Sequence, residues 1–172
     1  MEKIKIYYWC PFIYKVATVR SVINSAISLK KFNQEKYDVV IINALGEWND
    51  YESYFNKKNI KLKNLNKSNL LYNIKSQGFF RSRFLYFLII LKSFFPLLKL
   101  LKKEKPNYLL THLITSLPFI LINIFNIKTK IIMRISGLPK LNFIRYYLWK
   151  ISLNKTYAVF SPTYATLEVL KE

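Results

Sequence analysis

The sequence predicts an α/β fold, with a mostly parallel sheet carrying helices on both faces. Three observations point there. Short apolar runs alternate with longer helical patterns about six times along the 172 residues, the rhythm of strands joined by crossover helices. The run Tyr37 to Asn43 (YDVVIIN) is continuously apolar and β-branched, as in a strand covered on both faces. Polar, loop-forming clusters follow the apolar runs directly: His112 after Tyr108 to Thr111, and Ser136-Gly137 after Lys130 to Ile135. In open α/β sheets ligands gather at such carboxyl-terminal strand ends.

Taken in order, Lys3 to Tyr8 alternates as a first strand, ending in the loop WCPFIYK. A helix is expected from about Val16 to Phe32, with Val16, Val19, Ile23, Ala26 and Ile27 on one face and Arg20, Asn24, Lys30 and Lys31 turned outward. After YDVVIIN comes the loop ALGEWND with Gly46 at its turn, a short helix over Tyr51 to Lys57 and a weaker strand at Ile60 to Leu65. The segment NKSNLLYNIKSQGFFRSR lacks a clear period and reads as a long loop. Phe84 to Leu101 is a strongly apolar helix that Pro96 should kink. Beyond it are a strand at Tyr108 to Thr111, a helix near Ser116 to Phe125, a strand at Lys130 to Arg134 and a helix near Asn142 to Ser152. The last strand is Tyr157 to Phe160; Ser161 then caps a final helix whose first residue is Pro162.

Composition bounds the chemistry. Lys and Arg number 28 against nine acidic residues, a net charge of +19. Lys, Ile, Asn, Phe and Tyr are all abundant and share AT-rich codons, which accounts for part of this but not for the scarcity of acids. Such a field attracts anionic lipid, phosphorylated substrates or nucleic acid. Nucleic acid is disfavoured because the cations are scattered through apolar helices instead of forming a stripe. With only Asp38 and Asp50 there is no DxD pair to hold a metal on a nucleotide sugar, and one His with one Cys excludes the usual zinc sites. Glycine occurs only at 46, 78 and 137, so neither a dinucleotide-binding GxGxxG loop nor a P-loop is present. The lone Cys10 has no internal disulfide partner, which suits a reducing compartment, and MEKIKIYYWCPF does not resemble a secretory signal. Two lysines interrupt the run from Phe84, and the run from Leu113 to Ile127 is short, so both greasy helices are expected to be buried or half-buried in a core instead of spanning a membrane.

The tract KPNYLLTH (Lys105 to His112) resembles the kPDvvhaH element of family-4 type glycosyltransferases, in which a strand delivers a histidine to the cleft between two domains; Asn107 stands where aspartate is usual. IIMRISGLPK resembles the family's next strand and loop, with Ser136 where many members place histidine, and SPTYATLEVL resembles the passage that ends the N-terminal half. The paired glycines of the family's first loop are missing from WCPFIYKVAT. The resemblance implies the Rossmann-like N-terminal half of a GT-B fold, residues 1–172 forming one acceptor-side domain. It further implies no cofactor, a nucleotide-sugar donor bound mainly by a C-terminal half lying outside these residues, and an acceptor that is lipid-linked or part of the cell envelope. The partners implied are that donor-binding half, in the same or a separate chain, and an anionic membrane surface; the place implied is the cytoplasmic face of the membrane. A non-catalytic subunit of a split glycosyltransferase is the alternative, and a basic peripheral-membrane or nucleic-acid-binding module is another. The isolated residues are expected to lack transferase activity.

Candidate acceptor-binding residues are His112, Arg134, Ser136, Gly137, Lys15, Thr18 and Glu47, with no metal ligand. His112 suits a hydrogen bond to an acceptor hydroxyl, or else caps the following helix. Arg134 suits a phosphate or carboxylate, or else pairs with Glu47 or another acid. Ser136 and Gly137 offer backbone N–H groups, or form a plain turn. Lys15 and Thr18 follow the first strand at the same sheet edge; Glu47 is one of the few acids available, or a capping residue. In GFFRSR, Phe79, Phe80, Arg81 and Arg83 pair rings with cations as a membrane-docking edge would, or pack beneath the long loop.

Overall fold

The computed structural model describes residues 2–67, 69–71, 79–135, 137 and 143–169; within these, nothing is described of the side chains at 79–81, 144, 145 and 148. Six strands form one sheet: β1 (Ile4–Trp9), β2 (Tyr37–Asn43), β3 (Lys61–Asn64), β4 (Tyr108–Thr111), β5 (Lys130–Arg134) and β6 (Ala158–Phe160). Their order is β3-β2-β1-β4-β5-β6, and every pairing is parallel. The chain thus runs outward from β1 to one edge, crosses back, and continues outward from β4 to the other. The reversal between β1 and β4 leaves a crevice at their carboxyl ends, where doubly wound sheets bind ligands.

The helices are α1 (Ala17–Phe32), α2 (Glu52–Lys57, after a 3-10 turn at Asn49–Tyr51), α3 (Phe79–Glu104), α4 (Ser116–Ile124), α5 (Phe143–Asn154) and α6 (Tyr164–Val169). Side-chain alternation along β1 divides the interior in two. Ile6 and Tyr8 face α1 and α2, packing with Val19, Val22, Ile23, Ala26 and Phe55. Tyr7 and Trp9 face the other way, onto Leu85, Ile89, Leu97 and Leu101 of α3 and Leu117 and Leu121 of α4. The expected buried face of α1 is present at Val19, Ile23 and Ala26 with Ile27 at its border, but Val16 precedes the helix and is exposed.

Two expectations need correction. The long loop ends earlier than its sequence suggested, because α3 already begins at Phe79 and runs 26 residues. Pro96 lies inside this helix, which continues on both sides of it. The final helix begins at Tyr164, not Pro162: Thr163 Oγ1 accepts the N–H of Thr166, the reach of a cap residue to the third helical position, while Ser161 Oγ makes only a 3.5 Å contact with the Thr163 N–H. As expected, α3 is half-buried against the core. Leu85, Ile89, Leu97 and Leu101 are buried, whereas Phe84, Phe87, Leu91 and Phe95 are between 55% and 75% exposed. By length and composition α3 is apolar enough to cross a bilayer, but its inner face is occupied by the sheet.

Candidate functional site

His112 sits immediately beyond β4 at the reversal point. Its own N–H donates to Trp9 O at 3.0 Å, extending the β1–β4 ladder by one residue. The loop is then pinned from below: the Trp9 indole N–H donates to Ile114 O at 3.1 Å, and Ile114 adopts φ +49°. A β-branched residue in left-handed backbone stores roughly 1–3 kcal/mol, held here by the buried indole. The imidazole is 8% exposed and lies 6.2 Å from the Tyr8 ring at 24° between planes. Neither ring nitrogen has a hydrogen-bond partner among the described residues. Burial, reinforced by the nearby Arg134 charge, lowers the His112 pKa to about 4, so the ring is neutral near pH 7. It can therefore donate one hydrogen bond and accept another. The capping role is excluded, because Thr115 occupies the cap position of α4.

Arg134 ends β5, two positions beyond Ile132 and so on the same face of the sheet. It is half-buried and forms no ion pair among the described residues. A cleft of about 360 Å³ lies between these groups: Leu110 and Ile132 form its floor, Ser25 of α1 one wall, Phe160, Ser161 and Pro162 the other, with His112 and Arg134 at its polar end. Ser25 Oγ is 2.9 Å from the Tyr8 hydroxyl. Ser25 did not stand out in the sequence, and Phe160 and Ser161 did so only as a strand end and a helix cap; the pairing of Arg134 with Phe160 across β5 and β6 brings these two to the cleft.

The other candidates fall elsewhere. Glu47 turns inward, 6% exposed, its carboxylate accepting the Ala44 and Leu45 N–H groups at 2.8 Å each. Beside it Asn43 Oδ1 accepts the Gly46 and Trp48 N–H groups, and Gly46 at φ +96° leaves no room for a Cβ, which would stand 2.9 Å from Asn69 Cα. This loop is closed upon itself, so Glu47 neither lines the cleft nor pairs with Arg134. Burial raises the Glu47 pKa to about 7 against the pull of the backbone donors. Lys15 is exposed, pairs with Asp50 at 2.7 Å and stands 5.5 Å from the centroid of the Tyr51 ring, beside Val16 and Arg20 and away from the cleft. Thr18 is half-exposed on α1 and is not among the residues lining the cleft. Gly137 is exposed with open space around it, so no close approach demands glycine there; Ser136 lies outside the described residues. Asn107 acts at the opposite end of the sheet, where its Oδ1 accepts the Lys5 N–H at 2.8 Å, so the exchange of aspartate for asparagine does not reach the site. Arg83 is exposed on α3, whereas the side chains of Phe79, Phe80 and Arg81 lie outside the description.

No protein-family model matches the sequence, and no curated protein matches it. Solved structures do. A glycosyltransferase from Rickettsia africae superposes over 100% of this chain and 40% of its own, at TM-score 0.66 and 16% identity. UGT73P12 of Glycyrrhiza uralensis, solved with glycyrrhetinic acid 3-O-monoglucuronide, matches 99% of this chain and 46% of its own, at TM-score 0.68 and 13% identity. A UDP-GlcNAc 2-epimerase from Neisseria meningitidis, bound to UDP-GlcNAc, matches 99% and 43%, at TM-score 0.56 and 18% identity. The chain thus shares the Rossmann-like α/β fold of these GT-B structures. The chain spans less than half the length of each structure it resembles.

Proposed function

We propose that this chain is the acceptor-side half of a GT-B glycosyltransferase, with the cleft at His112 and Arg134 holding the acceptor. The observation that carries the reading is His112 itself: a buried, neutral imidazole, unpartnered among the described residues, at the topological reversal of a parallel sheet. In this reading His112 orients an acceptor hydroxyl, and the nucleotide sugar is gripped by a second half in the same or a separate chain. Transfer needs both reactants held together, because positioning supplies much of the fall in barrier. The 172 residues alone are expected to show no sugar-nucleotide turnover, and addition of the donor-binding half to restore it. Robust transfer by the isolated residues would overturn the reading.

The acceptor in this reading is lipid-linked or part of the cell envelope, and the domain works at the cytoplasmic membrane surface. Support comes from the outer stripe of α3, where Phe84, Phe87, Leu91 and Phe95 recur on one face, continued by Ile124 of α4, which is 68% exposed. Lys92, Lys99, Lys102 and Lys103 on the same helix are exposed as well. Apolar rings flanked by ammonium groups match the acyl boundary and anionic headgroups of a bilayer. The docking surface thereby extends along α3 beyond the GFFRSR tract. Replacing Phe87 and Phe95 with Asp removes exposed rings and should weaken binding to phosphatidylglycerol vesicles by about tenfold or more, with the fold intact. Unchanged sedimentation with vesicles, or self-association through the same residues in their absence, would contradict the assignment.

A further inference from the structure

We infer that the cleft selects an oxyanion, the carboxylate or phosphate of a small hydroxylated ligand, with Arg134 as the anion anchor and His112 as the hydroxyl partner. This rests on the acceptor-side reading and narrows the substrate class. A neutral sugar brings no counter-charge for Arg134. The cleft instead offers one guanidinium with no ion pair among the described residues, one neutral imidazole and the Ser161 hydroxyl, beside the apolar Leu110 and Ile132. A half-buried guanidinium lacking a carboxylate is costly unless a ligand supplies the counter-charge. No ion pair joins Arg134 to an acid among the described residues, and the buried Glu47 is committed to backbone donors. Guanidinium geometry accepts both oxygens of a carboxylate or phosphate at once. Phe160, 58% exposed, supplies an apolar wall on which the C–H face of a sugar ring can rest, and about 360 Å³ suits one such residue.

His112 is the sole histidine, so its ring signals report on the cleft without ambiguity. The experiment follows the His112 ring resonances of the 172-residue protein by NMR while inorganic phosphate, glucuronate or glucose is added. Saturable shifts are expected with phosphate, glucuronate or both, and none with glucose at equal concentration. A response to phosphate alone assigns a phosphorylated ligand, and one to glucuronate alone an acidic sugar. Arg134→Gln should weaken the response by about tenfold or more, while Arg134→Lys retains part of it. Spectra of each variant outside His112 report whether the fold survives. Silence toward both anions, an equal response to glucose, or an unaltered response in folded Arg134→Gln overturns the inference. Sugar transfer with the donor half and no anion response would sink this inference alone. An anion response without transfer would sink the acceptor-half reading and leave the site standing.

Discussion

Glu47→Ala is expected to cost the most stability of any single polar substitution. The carboxylate satisfies two backbone N–H groups, of Ala44 and Leu45, in a loop where both residues are fully buried. Truncation strands both donors at about 1–3 kcal/mol each, so the unfolding free energy should fall by about 4 kcal/mol. Glu47→Gln keeps one carbonyl acceptor but points an NH2 group at the other donor, and should fall between wild type and alanine. Urea unfolding measures this directly. A loss below about 1 kcal/mol for alanine would mean that the two N–H groups have other partners. The cleft should be little affected in the glutamine variant, since Glu47 does not line it.

The second large effect is the pH dependence carried by His112. Its folded-state pKa, about 4, lies below the ordinary 6.5, with burial as the main cause and the Arg134 charge second. The unfolded chain therefore takes up a proton first as pH falls. The stability associated with the neutral ring is complete above pH 6.5, declines through the window from 6.5 to 4, and is gone below it. The size of the decline is about 3 kcal/mol. Glu47 acts in the opposite sense, since its raised pKa favours folding at low pH and that contribution fades from 4.5 toward 7. The wild-type curve alone thus blends two opposed slopes. The difference between wild type and His112→Leu isolates the histidine: the variant should gain on wild type steadily from pH 6.5 to pH 4. A constant difference across that window would show a solvated imidazole and remove the basis for the site.

The sheet was largely legible because its strands are short apolar runs between loops, a local signal that burial on both faces reinforces. Tyr37–Asn43, Tyr108–Thr111 and Lys130–Arg134 have the same bounds in sequence and structure. His112 and Arg134 were legible for the same reason, since each ends such a run. The fate of Glu47 was not: only tertiary contact decides whether a loop acid faces solvent or folds back on buried N–H groups. Lys15 was misplaced for a related reason, because adjacency to the first strand does not reveal that Asp50, 35 residues away, draws it aside. The outer stripe of α3 also escaped a sequence reading, because apolar residues all round a helix look alike until the sheet takes one side. Ser25 carries no signal of its own, Phe160 and Ser161 signalled only a strand end and a cap, and all three reach the cleft through strand register and helix packing.

Calorimetric titration of nucleotide sugars into the 172-residue protein bears most directly on the assignment to the acceptor side. The expected result is no saturable binding tighter than about 1 mM. Micromolar nucleotide-sugar binding that displaces the His112 ring resonances would place the donor in this cleft and contradict the account.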